Sequence, residues 1–278
     1  MATAKKATRS KRKRNNKGAG MSMAALADKY DLYQRAVQSP DHEAWFFNKI
    51  YKKEFGKNAT VLREDFCGTA AVCCEWVKNK PKRIAYGVDL DPEPIDWGLE
   101  NNLPLISKTA QERVTLVVKD SCKIHGPKAD VVAAQNFSFQ LFMTRKELLG
   151  YFKAAYRNLD KKGVFFVDML GGSEVLEEDH EEEKRYQGFD YIWEQIRFNP
   201  ISHVCDFAIH FEFPDGSKIE KAFFYHWRLW GIPEVRELLL EAGFKRADVY
   251  WEGEDEVFRK RETAPSDPCW ICYIVGVK

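Results

Sequence analysis

An α/β fold, with a mainly parallel sheet and an antiparallel insertion after the fifth strand, is what this 278-residue sequence predicts. Three observations carry the expectation. Short apolar runs alternate with helical patterns from about residue 59 to residue 170, the rhythm of βαβ units. Runs such as Val131-Val132-Ala133-Ala134 and Val164-Phe165-Phe166-Val167 have no polar face, as strands covered on both sides require. Beyond Leu170 the pattern changes to alternating polar and apolar residues, with Pro214-Asp215-Gly216 as a hairpin turn.

Taken in order, Asp41 is expected to cap a helix running through Ala44, Phe46 and Ile50 to a stop at Gly56. Strands follow at Ala59–Glu64, Arg83–Asp89, Arg113–Lys119, Ala129–Gln135 and Gly163–Leu170, with helices at Ala70–Lys78, Pro92–Asn101 and Thr144–Asn158. Residues 171–230 form the insertion. Its first part, Glu174–Glu183, holds seven acidic residues and reads as a solvated surface segment. Three strand-like runs come next, at Phe189–Phe198, Ser202–Phe213 and Ser217–Trp227. Pro233 opens a helix at Glu234–Ala242 that Gly243 ends. Two last strands, Phe244–Trp251 and Trp270–Val277, flank a charged loop. The expected domain is therefore Rossmann-like and spans 21–278.

The strand ends carry the chemistry. In open α/β sheets, ligands bind beyond the carboxyl ends of the strands, beside the point where strand order reverses. The first strand runs Val61-Leu62-Arg63-Glu64-Asp65 into Phe66-Cys67-Gly68-Thr69-Ala70, a tight turn leading into a helix of small residues. Gly68 has no Cβ and lets a ligand approach the backbone. The next strand ends Val88-Asp89-Leu90, and an acid at that place accepts hydrogen bonds from both ribose hydroxyls. The third ends in Lys119-Asp120-Ser121 and the fourth in Gln135-Asn136-Phe137-Ser138. Gly-x-Gly-x-x-Gly is absent, which argues against a dinucleotide site.

Four successive strands that end in polar residues within about 75 residues resemble the class I S-adenosylmethionine-dependent methyltransferases, from about Trp45 to the end of the chain. Glu-Asp-Phe-Cys-Gly-Thr is identified as a first-motif variant of an uncharacterised subgroup. Phe66 and Ala70 stand where the family's Gly-x-Gly-x-Gly turn has its outer glycines. The resemblance implies a seven-stranded sheet and S-adenosylmethionine as cofactor. It implies that Glu64 lies near the methionine part of that cofactor, and Phe66, Cys67 and Gly68 form the turn around that part and the sugar. It assigns Asp89 to the ribose, Leu90 to the face of the adenine, Asp120 and Ser121 to the adenine edge, and Asn136 to the loop passing the sulfonium.

Such an enzyme needs neither metal nor nucleophile, because the sulfonium is an activated donor and the protein mainly aligns the acceptor and excludes water. A base is needed only for an acceptor that arrives protonated. In the family the acceptor pocket is built from the N-terminal segment and insertions, here Tyr33 and the insertion's Tyr225, Trp227 and Arg228. Aromatic faces near a carboxylate suit an amine or other cation, and a small-molecule amine or hydroxyl is the expected acceptor. Asn/Asp-Pro-Pro-Tyr/Phe, usual in nucleobase amino-methyltransferases of this fold, is missing after the fourth strand. Two other readings stay open: an RNA or protein methyltransferase guided by a basic tail, and a cofactor-binding protein without catalysis.

The tail is residues 1–20, with eight basic and no acidic residues. Removing its charge from the net +1 leaves the rest of the chain at −7. So polar and self-repelling a segment is expected to be disordered. It reads first as a solvated tail, and otherwise as a nucleic-acid or nuclear-targeting patch or an acid-poor organellar presequence, and it lacks the apolar core of a secretory signal. Seven cysteines in mostly apolar contexts read as reduced, buried thiols. Cys269 and Cys272 form a lone CxxC without a second pair, which favours packing over zinc. No apolar run approaches the roughly 18 residues of a membrane span. A cytoplasmic enzyme follows as the expectation, with no membrane partner.

Overall fold

A computed structural model describes residues 20–255 and 257–278; the basic tail, but for Gly20, lies outside the described residues. Three helices open the chain: α1 (Met23–Leu26), α2 (Lys29–Val37) and α3 (Pro40–Phe55). The alternating part follows as β1 (Val61–Asp65), α4 (Ala71–Val77), β2 (Ile84–Asp89), α5 (Pro92–Asn101), α6 (Lys108–Gln111), β3 (Val114–Val118), β4 (Ala129–Ala134), α7 (Arg145–Asn158) and β5 (Leu159–Gly171). The insertion is β6 (His180–Tyr186), β7 (Phe189–Asn199), β8 (Val204–Glu212) and β9 (Lys218–Arg228). The chain closes with α8 (Ile232–Ala242), β10 (Arg246–Glu252), β11 (Phe258–Lys260) and β12 (Trp270–Val277).

The main sheet has the order β3-β2-β1-β4-β5-β12-β10-β11. Strands β1 to β5 pair in parallel, whereas β12 enters antiparallel between β5 and β10. Strand order reverses between β1 and β4, so the switch point lies there. Both faces are covered, as the apolar strands require. On one, Phe47, Ile50 and Tyr51 of α3 and Val72, Trp76 and Val77 of α4 pack with Leu62, Val131, Val164 and Phe166. On the other, Leu148, Tyr151 and Phe152 of α7 and Val235, Leu238 and Leu239 of α8 pack with Val132, Phe165 and Ile274. The insertion is a separate antiparallel sheet, β6-β7-β8-β9, whose inner face (Phe207, Ile209, Phe211) is buried.

Four details differ from the sequence expectation. The sheet has eight strands, because β11 forms within the expected charged loop and pairs with β10 at the edge. The acidic segment is not only solvated surface: His180–Tyr186 pairs with β7 as β6, its Glu181, Glu182 and Glu183 exposed. An edge strand takes its hydrogen bonds from one neighbour and tolerates charge on its side chains, so neither strand leaves an apolar signature. Ser39 occupies the N-cap of α3 with Pro40 at its first turn, and Asp41 sits inside that turn. Helix α2 was not expected; Leu32, Tyr33, Ala36 and Val37 give it an apolar face, and Asp28 caps it, its Oδ1 accepting from Tyr30 and Asp31 N–H at 2.8 and 3.1 Å.

Helix α2 makes contacts on two sides. Its Leu32 and Tyr33 pack on the insertion's inner face, and Asn102 and Thr69 both donate to Oε1 of its Gln34, at 2.8 and 3.3 Å. The helix thus bridges the insertion and the turn after β1.

Candidate functional site

The turn after β1 is built from three left-handed residues, Phe66 (φ 57°), Gly68 (φ 51°) and Ala70 (φ 58°). Only Gly68 adopts this conformation freely; the other two each cost of the order of 1–2 kcal/mol. The surroundings enforce it. Cys67 N–H donates to Val88 O at 3.0 Å, Gly68 N–H to Asp89 Oδ2 at 2.8 Å, and Ala70 N–H to Cys67 O at 2.8 Å. The chain thus keeps left-handed backbone at both positions where the expected motif has its outer glycines. Helix α5 comes so close that a Cβ on Gly98 would lie 2.2 Å from Thr69 O, so only glycine fits there.

Asp89 ends β2 with its two oxygens divided between neighbours: Oδ2 takes Gly68 N–H and Oδ1 takes Asp91 N–H at 3.0 Å. Asp91 caps α5 through Glu93 N–H at 2.9 Å. After β4, Asn136 and Phe137 are both left-handed, and their N–H groups converge on the carboxylate of Asp168 at 2.8 and 2.9 Å. Asp168 lies at the end of β5 and was not singled out from the sequence. Its apolar neighbours, Val167 and Met169, gave no sign of a site.

Together these elements wall a cavity of about 570 Å3 at the switch point. Phe66, Cys67, Gly68, Asp89 and Asn136 line it, with Tyr33, Tyr225 and Trp227 on the side of the insertion. Glu64 lies beneath, 3% exposed, its carboxylate accepting from Cys73 N–H at 3.0 Å. Leu90, Asp120 and Ser121 fall outside the lining. Leu90 is exposed, Asp120 turns its carboxylate to Cys122 N–H at 2.8 Å, and Ser121 is buried. Arg228 is a correction to the expected acceptor pocket: its guanidinium stacks on Trp230 at 3.7 Å and donates to Met143 O at 3.1 Å, away from the cavity. Its neighbour Trp227 faces inward because adjacent residues of a strand point to opposite faces.

A smaller chamber of about 180 Å3 adjoins the cavity and shares Tyr33, Asn136, Tyr225 and Trp227 with it. Among the described residues no group of three or more metal-ligating side chains comes together. Cys269 is exposed while Cys272 is buried in the sheet. No helix of the described residues is long and apolar enough to cross a membrane.

Burial pushes the carboxyl of Glu64 from 4.5 up to about 8, and that of Asp168 from 3.8 up to about 7, despite the N–H groups each accepts. Both acids therefore hold protons longer in the folded chain than in the unfolded one. The sign follows: their stability contribution is complete below about pH 4 and is lost as pH rises towards 8. The ligand-free protein is expected to melt several degrees lower at pH 8 than at pH 5.5, and Glu64→Gln to flatten that slope. A Glu64→Gln profile parallel to that of the parent protein would contradict this.

No protein-family model and no curated protein matches the sequence. Solved structures do match its fold. A S-adenosylmethionine-dependent methyltransferase from Clostridium acetobutylicum aligns with a TM-score of 0.64 at 17% identity, covering 88% of this chain and 96% of that one. The CcbJ methyltransferase from Streptomyces caelestis aligns at 0.67 and 16% identity, over 86% and 96%. CalS10, an amino pentose methyltransferase from Micromonospora echinaspora solved with S-adenosylmethionine bound, aligns at 0.63 and 14% identity, over 89% and 97%. The parallel strands, the switch point and the antiparallel last strand thus give this chain the fold of S-adenosylmethionine-dependent methyltransferases.

Proposed function

We propose that this chain is an enzyme that transfers the methyl group of S-adenosylmethionine to a small molecule. The observation that carries the reading is the adjacency of two spaces: the cavity at the switch point shares Tyr33, Asn136, Tyr225 and Trp227 with a chamber walled by aromatic rings. Donor and acceptor could meet only where these adjoin.

The residues present fit the cofactor. Both polar atoms of Gln135 and Oε1 of Gln38 are buried without a protein partner, as is Oε2 of Glu43. Glu43, Glu64 and Asp168 lie close enough for their charges to interact. Buried polar groups are rarely left unpaired, and a clustered set of acids suits the α-ammonium group of this cofactor. Asp89 would accept from the ribose hydroxyls, its second lone pairs being free of the turn it holds. Leu90 and Asp120 would flank the adenine at the outer rim, with Ser121 buried behind them. When bound, the cofactor supplies a methyl group already activated on a sulfonium. What remains for Asn136, Tyr225 and Trp227 is to exclude water and hold the acceptor in line.

The test is calorimetric binding of S-adenosylmethionine together with a screen for labelled methyl transfer to pools of metabolites and RNA. Micromolar binding and transfer to a metabolite are expected, unaffected by chelators. A protein lacking residues 1–20 should melt at the same temperature and keep its turnover. Activity lost with the tail, accompanied by RNA binding that falls steeply with salt, would shift the substrate to nucleic acid. Binding without turnover on any acceptor would leave a cofactor-binding protein.

A further inference from the structure

The smaller chamber has a chemistry of its own. Tyr33 comes from α2, Tyr191 and Trp193 from β7, and Tyr225 and Trp227 from β9, so the N-terminal helix and the insertion close it jointly. The rings are mutually packed: Tyr225 stacks on Trp227 with centroids 4.3 Å apart, and Trp193 lies 6.0 and 6.2 Å from the two. Among the described residues of its lining, Glu182 is the one charged side chain, and it acts on both Tyr191 and Cys269. His180 Nε2 lies 3.9 Å from its carboxylate.

We infer that this chamber receives a compact amine and that nitrogen, not oxygen, is the methyl acceptor. The inference rests on the methyl-transfer reading above and deepens it. The amine sheds any ammonium proton to water before attack; its free lone pair then forms the new C–N bond as the C–S bond breaks and its electron pair returns to sulfur. The positive charge therefore moves from sulfur to nitrogen, into the chamber. Aromatic faces and one carboxylate stabilise a cation arriving there. The proton of a primary or secondary amine then leaves to water or to Glu182, and a tertiary amine has none to lose.

A hydroxyl acceptor would need its proton removed at or before attack, and the chamber is poorly equipped for that. No histidine or lysine lines it among the described residues. Burial holds the hydroxyls of Tyr33, Tyr191 and Tyr225 well above their ordinary value, so they remain protonated. Asp168 lies outside the lining and is committed to the N–H groups of Asn136 and Phe137. An anionic acceptor would meet Glu182, with no lysine or arginine among the described lining residues to offset it. The volume, about 180 Å3, admits a small amine or the reacting end of a larger one.

The chamber can be tested without the cofactor by comparing choline with its uncharged isostere 3,3-dimethylbutan-1-ol in calorimetry. Choline is expected to bind at least tenfold more tightly. Glu182→Gln and Trp227→Leu should each erase most of that preference, and Trp227→Phe should retain it. Glu182 is exposed, so its variant should fold normally. With S-adenosylmethionine present, transfer to 2-(methylamino)ethanol but not to 2-methoxyethanol is expected. Equal binding of choline and its isostere, or transfer to the alcohol, would overturn the amine assignment. Failure of S-adenosylmethionine itself to bind would overturn the transfer reading instead, and the two failures are read in separate titrations.

Discussion

Replacing Asp89 with alanine is expected to weaken S-adenosylmethionine binding by roughly ten- to a hundredfold, about 1.5–3 kcal/mol for lost hydrogen bonds to a charged group. Two effects add. The ribose loses its acceptor, and Gly68 N–H loses the oxygen that fixes the turn after β1. Asp89→Asn separates them, since an amide oxygen can still receive Gly68 N–H but carries no charge. It should fall between the parent and the alanine variant. Asp91→Ala should cost less affinity, because the side chain of Asp91 caps α5 at Glu93 N–H, a contribution of about 1 kcal/mol to the helix. Unchanged affinity in Asp89→Ala, measured by calorimetry, would remove the ribose assignment.

The second large effect lies under the rim of the cavity. Arg63 and Asp65, both fully buried in β1, are joined at 2.7 Å through Nε and Oδ1. Arg63 Nη1 donates to His125 O at 2.7 Å, and Tyr151 donates to Asp65 Oδ2 at 3.2 Å. The pair thereby ties the loop that carries Asp120 and Ser121 to the sheet. Burial raises the carboxyl of Asp65 to about 6 even with the guanidinium beside it. Arg63→Met leaves that acid without its cation and should cost about 3–5 kcal/mol, lowering the melting temperature by roughly ten degrees. Arg63→Met combined with Asp65→Leu should recover most of the stability, because no charge is then left buried alone. Cofactor affinity should stay reduced in both, since neither variant holds His125 O. A double variant no more stable than the single one would contradict the charge argument, and full affinity in both would contradict the tether.

Periodicity and composition alone were enough to read the alternation of β1 to β5 with their helices, because a strand buried on both faces must be apolar and a covering helix must be amphipathic. The polar residues closing those strands marked Gly68, Asp89 and Asn136, which the fold then brings to one cavity wall. Strands β6 and β11 were illegible for the opposite reason. An edge strand is specified by backbone pairing with a neighbour, and its side chains remain free to be charged. The docking of helix α2 could not be read either: its apolar face of Leu32, Tyr33, Ala36 and Val37 has its partners in the insertion, and its Gln34 and Arg35 bond to residues distant in sequence, Asn102, Thr69 and Gln187 O. Arg228 and Trp227 looked alike in the sequence as pocket candidates. Only the registration of β9 on β8 sends Trp227 inward and leaves Arg228 stacked on Trp230. The left-handed turn at Phe66 and Ala70 shows the same division. Neither residue prefers that conformation; hydrogen bonds at Val88 O, Asp89 and Cys67 O impose it, and partners so far along the chain as Val88 and Asp89 are in place only once it has folded.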